Sequence, residues 1–183
     1  MANDNPNYAK YVKGLVGYYT SYPFLCMYYK AKSTYLSFKN FKESDFNANE
    51  ILPFLYLGDI SDAYNKDALQ KIGVTDIITL VPSISPCYTK DFDYLCVPLL
   101  DYRSEDLTPF INKVIDEIEK MRISKKKVLV HCMMGVSRSG SMVIAYLMKY
   151  RKMSYDAALK FVKRKRSKVC PNEAFEKQLR KFK

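Results

Sequence analysis

The run KVLV, residues 127–130, leads straight into HCMMGVSRSG, residues 131–140, and then into SMVIAYLMKY, residues 141–150. A short β-branched apolar run reads as a buried strand, and a long apolar run after it reads as a buried helix. The ten residues between them carry a cysteine at the strand end and an arginine six residues later, at the helix mouth. Packing requires neither. Any fold that buries both flanks must leave this loop at the edge of the core.

The surrounding pattern fits that unit. ILPFLYLGDI (51–60) reads as a strand with a turn at Gly58, and SDAYNKDALQKIG (61–73) as a helix capped by Ser61 and closed by Gly73. TDIITLV (75–81) and FDYLCVPLL (92–100) read as strands, the second ending at Asp101. LTPFINKVIDEIEKMR (107–122) has Phe110, Ile111, Val114, Ile115, Ile118 and Met121 at helical spacing, with Pro109 in the first turn. Three further helices are predicted: Ser139–Tyr150, Ser154–Arg166 and Asn172–Phe182. This alternation predicts an α/β fold with a central, mostly parallel twisted sheet flanked by helices. Ligands of such sheets bind beyond the carboxyl ends of the strands, where the 131–140 loop stands.

A loop of this kind aims several backbone N–H groups in one direction, and the helix start adds unpaired N–H groups and partial positive charge. That is an anion site. Gly135 permits the tight backbone. Arg138 can grip two oxygens of a phosphate at once. Met133, Met134, Gly135, Val136, Ser137 and Arg138 form the expected phosphate cradle. Cys132 lies at its base, where the same groups favour the thiolate, a nucleophile that needs no partner base. Ser139 or Ser137 is placed to donate to the sulfur. His131 neighbours Cys132 in a strand, so the two side chains face opposite ways and His131 is no ready proton donor. The best general acid is Asp101; Glu105 and Asp106 compete, although Asp106 also suits the start of the next helix.

With 183 residues and 48% hydrophobic content the chain is expected to form one domain. The five cysteines form no CxxC pair and His131 is the single histidine, so no metal site is expected. The odd cysteine count and polar start suggest a reducing, cytoplasmic setting. Residues 14–29 are apolar but short and carry Pro23, so no membrane association is expected. The net charge of +11 suits acidic or phosphorylated partners, but no aromatic-and-basic nucleic-acid motif is evident. KFVKRKRSK (160–168) reads as a solvated helix face with Phe161 and Val162 inward, nuclear import being the alternative. Residues 8–46 hold eight of the sixteen tyrosines. They predict a helix over Tyr8–Tyr19, broken before Pro23, whose aromatics pack on the main domain, form a homodimer or dock a substrate. An exposed Cys132 thiolate would oxidise readily, with Cys87 or Cys96 as candidate disulfide partners.

HCMMGVSRSG resembles the His-Cys-five-residues-Arg signature of cysteine-dependent protein phosphatases, and the chain resembles their small dual-specificity members. ILPFLYLGDISDA, VPLLDYRSEDLTPF and SGSMVIAYLMKYRKMSYDAALKFVKRKRSKVCPNEAF extend the resemblance over residues 48–183, leaving residues 1–47 as a tyrosine-rich extension. The resemblance implies Cys132 as nucleophile, Arg138 as phosphate binder, Asp101 as acid then base, Ser139 as helper for thiolate release and His131 as support. It implies no cofactor and a phosphoprotein substrate carrying phosphotyrosine, phosphoserine or phosphothreonine. Three alternatives stand beside it. One is a phosphoinositide phosphatase, disfavoured by the uncharged loop positions Met133, Met134, Val136 and Ser137. The others are an RNA 5′-phosphatase and a non-catalytic phospho-residue binder.

Overall fold

The structure is a computed structural model that describes residues 23–38, 45–82 and 84–182. The predicted helix over Tyr8–Tyr19 lies outside the described residues. Helix α1 runs Pro23–Phe38. It starts on the proline that was expected to follow a break, because proline's fixed φ suits a first helical turn.

Strands β1 (Asn49–Leu52), β2 (Leu55–Gly58), β3 (Asp76–Thr79), β4 (Asp93–Cys96) and β5 (Val128–His131) form one sheet in the order β1-β2-β5-β3-β4. β1 pairs antiparallel with β2, and the remaining three pairings are parallel. The expected mostly parallel sheet is present. Where one strand was expected over residues 51–60 there is a hairpin, turned at Pro53 and Phe54. Proline has no N–H to give a sheet ladder, so it belongs in the turn.

The expected helix over 61–73 is two short helices, α2 (Ile60–Ala63) and α3 (Lys66–Lys71). The N-cap of α2 is Asp59 rather than Ser61, since its carboxylate accepts from the N–H groups of Ser61 and Asp62. Asn65 caps α3 by accepting from the N–H of Ala68, which restarts the chain in a new direction. Helices α4 (Thr108–Ile123), α5 (Arg138–Arg151), α6 (Tyr155–Lys165) and α7 (Glu173–Lys181) follow the predicted spans to within two residues. Ser154 and Asn172 cap α6 and α7.

Strands β2, β3 and β5 are buried throughout, which is why they read as continuous apolar runs. Helix α5 is buried from Arg138 to Leu147 and packs between α4 and α6. Each fully buried Val, Leu or Ile in this layer contributes roughly 1.5–3 kcal/mol against leaving it in water. The site therefore rests on two buried elements, the central strand β5 and the helix that follows it. No helix among the described residues is long and apolar enough to cross a membrane.

Candidate active site

Between β5 and α5 the chain turns around the Cys132 sulfur. The N–H of Gly135 donates to Sγ at 3.3 Å, and the Ser139 hydroxyl donates to it at 3.2 Å. Gly135 has φ +64°, and a Cβ there would stand 2.5 Å from the Gly58 carbonyl oxygen and 2.5 Å from Arg166 Nη2. The position excludes every side chain twice, by backbone and by space. Burial alone pushes the Cys132 thiol up. The Arg138 charge, the Ser139 hydroxyl and the N–H groups of Ser139 and Met134 overcome it, so the thiol lies below its ordinary range. Donors around a buried sulfur favour its thiolate, the nucleophilic form of cysteine.

Of the two serines considered for the sulfur, Ser139 takes it. Ser137 instead donates to Asp101 Oδ1 at 2.7 Å, and its own oxygen accepts from the N–H of Asn172 at 3.1 Å. Asn172 Nδ2 donates to the same Asp101 oxygen at 2.9 Å. Asp101 is thus brought to the loop from the far side of the sheet, with Oδ2 left 3.6 Å from Arg138 Nε. Its competitors are occupied elsewhere. Asp106 accepts from the N–H of Thr108 at the start of α4, and Glu105 accepts from the N–H of Leu100.

Arg138 is only 4% exposed. Nη1 donates to the Leu99 carbonyl at 3.3 Å, while the buried Nε has no hydrogen-bond partner among the described residues. A buried, unspent guanidinium N–H is costly, and an incoming anion would satisfy it. Within the cradle, Met133 is buried with its carbonyl accepting from the N–H of Ile60, Val136 is half-buried and Met134 is exposed.

His131 lies under the loop. Its Nδ1 faces the Cys132 carbonyl at 3.3 Å, and its Nε2 is 2.8 Å from the Thr79 hydroxyl. A carbonyl only accepts, so Nδ1 carries the proton and Nε2 accepts from Thr79. Burial pulls the imidazole down to about 4, so it stays neutral at physiological pH. The ring bridges the Cys132 carbonyl and Thr79 on β3.

Arg166 does not belong to the solvated basic face expected over residues 160–168. The neighbouring Lys163 and Arg164 are exposed, but Arg166 is 3% exposed and lies behind the loop. Its Nε donates to the Gly135 carbonyl at 2.9 Å, and Nη1 donates to the Asn47 carbonyl and to Asn49 Oδ1. Nη2 is 3.7 Å from Asp59 Oδ2. Behind it Asp62 accepts from the N–H groups of Asp59 and Asn47, and burial with the adjacent Asp59 pushes its carboxyl up to about 6. Arg166 turns the Gly135 carbonyl away from the pocket, which leaves the N–H groups facing inward.

Cys96 is no disulfide partner for Cys132. It pairs with Thr79, which pairs with His131, so it lies two strands away, about 10 Å, beyond disulfide reach. Burial also pushes its thiol up to about 12.

Residues 55–183 match the family described as "Dual specificity phosphatase, catalytic domain". Dual specificity protein phosphatase 1-A of Xenopus laevis is 38% identical over 133 residues, which is 73% of this chain and 36% of that protein. The chain therefore spans little more than a third of that relative. The crystal structure of DUSP15 superimposes with a TM-score of 0.71 at 32% identity, covering 74% of this chain and 86% of that one. A human tyrosine phosphatase-like serine/threonine/tyrosine-interacting protein superimposes with a TM-score of 0.70 at 34% identity, covering 74% and 94%. A cradled cysteine, a buried arginine and a tethered carboxylate meet on this sheet, and the chain belongs to the dual specificity phosphatase family.

Proposed function

We propose that the chain is a protein phosphatase that removes phosphate from phosphotyrosine and from phosphoserine or phosphothreonine through a cysteinyl-phosphate intermediate. The observation that carries this reading is the buried Cys132 sulfur, which accepts from the Gly135 N–H and the Ser139 hydroxyl and whose thiol lies below its ordinary range beside Arg138. The catalytic domain is residues 48–183, with 1–47 as an extension.

Cys132 attacks phosphorus in line with the departing oxygen. The loop N–H groups and Arg138 hold the equatorial oxygens as charge moves onto them. Asp101 gives a proton to the leaving oxygen, then takes one from the water that attacks the cysteinyl phosphate. Its Oδ1 is engaged by Ser137 and Asn172, so Oδ2 is the oxygen that exchanges the proton. Ser139 stabilises the thiolate as it departs. His131 stays neutral and positions the loop.

The substrate is a phosphoprotein. The uncharged Met133, Met134, Val136 and Ser137 offer nothing to the further phosphates of an inositol headgroup. A second reading, a phospho-residue binder without turnover, draws support from the interacting protein that shares this fold, since a fold does not fix an activity. The test is a peptide carrying both phosphothreonine and phosphotyrosine, with each site followed separately and Cys132→Ser as the blank. Loss of both phosphates, absent in the blank, is expected. Tight binding with no release would favour the binder.

A further inference from the structure

Helix α1 precedes the residues that match the family, yet it reaches the catalytic loop. Among its described side chains Tyr29 alone is buried, at 7% exposed, whereas Phe24, Met27, Tyr28 and Tyr35 stand in solvent. The Tyr29 ring lies against Arg138, with the guanidinium carbon 5.9 Å from the ring centroid. Burial pushes the Tyr29 phenol up, the Arg138 guanidinium pulls it back, and Tyr102 and Asp101 push it up again. The phenol is therefore within electrostatic reach of both the phosphate-binding arginine and the proposed acid.

Phenol is also the leaving group of phosphotyrosine hydrolysis. Resting on the phosphatase reading above, we infer that Tyr29 is an internal occupant of the site: α1 lays an aryl ring on Arg138 in the seat of the substrate phenol, and a phosphotyrosine substrate must displace it. The tether keeps the ring at high effective concentration, and burial, the cation–π contact and a hydrogen bond with Arg138 hold it there. Substrate affinity is lowered by the fraction of molecules in which the seat is filled. The chemical step, which begins after displacement, is untouched.

The experiment uses the full chain and one phosphotyrosine peptide. Turnover is compared for wild type, Tyr29→Ala and Tyr35→Ala, the last on the exposed face of the same helix. The dissociation constant of the peptide is measured by calorimetry for Cys132→Ser, alone and combined with Tyr29→Ala. We expect Tyr29→Ala to lower KM and the dissociation constant about five- to tenfold with kcat unchanged, and Tyr35→Ala to match wild type. An unchanged or weaker affinity in Tyr29→Ala overturns the inference. Hydrogen exchange on Cys132→Ser, with Tyr29 intact, gives an independent reading: saturating peptide should speed exchange of the amides of residues 23–38, and unchanged or slower exchange contradicts displacement. If wild type fails to turn over but affinity shifts as expected, the phosphatase reading falls and this inference stands. Turnover without the shift leaves the opposite result.

Discussion

The two faces of the phosphate loop are each built on one buried arginine, and they differ in what the arginine is for. In front, Arg138 donates to the Leu99 carbonyl, meets the Tyr29 phenol, lies 3.6 Å from Asp101 Oδ2 and keeps Nε without a hydrogen-bond partner among the described residues. Behind, Arg166 gives three hydrogen bonds, to Gly135, Asn47 and Asn49, and lies beside Asp59. Each guanidinium leaves one buried nitrogen without a hydrogen-bond partner among the described residues, Nε of Arg138 and Nη2 of Arg166, but three hydrogen bonds tie Arg166 to the fold behind the loop. An unpartnered buried donor is thus no mark of a binding site by itself.

Substitutions at the two arginines should separate accordingly. Arg138→Lys keeps a charge but loses the planar fork. It is expected to cut kcat about 10²–10³-fold with little change in urea midpoint. A comparable loss of stability would erase the distinction. Arg166→Met should do the reverse. It leaves Asp59 and Asp62 without their buried cation and is expected to cost about 3 kcal/mol of unfolding free energy, with a smaller loss of activity. Equal effects of both variants on activity and stability would show that the loop has one undivided network.

A smaller effect sharpens the description of the back face. Asp62 titrates at about 6 in the folded chain against an ordinary 3.8, and His131 at about 4 against an ordinary 6.5. Between those values the folded chain holds the extra proton on Asp62, and the unfolded chain holds it on His131. Raising the pH therefore weakens the fold through Asp62 and strengthens it through His131. The two slopes oppose, so wild-type stability should change little from about pH 4 to about pH 6. In Asp62→Asn the opposing Asp62 slope is gone, so unfolding free energy should rise with pH relative to wild type by an amount on the order of 3 kcal/mol. Urea titrations at several pH values measure this, and a flat profile in the variant would refute the assignment.

The front face was legible in the sequence because its parts are local. Cys132, Gly135, Arg138 and Ser139 lie within eight residues, between two apolar runs whose periods identify a strand and a helix. Asp101 was legible as a carboxylate near a strand end, although the strand expected over 92–100 stops at Cys96, with Asp101 on the loop that follows. The back face was hidden because its partners are remote: Arg166 meets an Asn47 carbonyl 119 residues away in sequence. No periodicity separates it from its exposed neighbours Lys163 and Arg164. Asn172 was visible as a helix start, but not as the donor that also holds Asp101, since an N-cap uses only its oxygen and the free amide has no sequence signal. The paired short helices α2 and α3 were not separable in sequence, because a single asparagine is tolerated inside a helical pattern even though it favours a cap. Tyr29 was one aromatic among many until the fold laid it on Arg138.

The central claim is that chemistry passes through Cys132, and a covalent trap tests it most directly. The full chain is mixed with a peptide bearing radiolabelled phosphotyrosine, quenched in acid during turnover, digested and mapped. The account predicts label on the peptide that contains Cys132, and none in Cys132→Ser. Phosphate release with no label on Cys132, or with label on another residue, would contradict it.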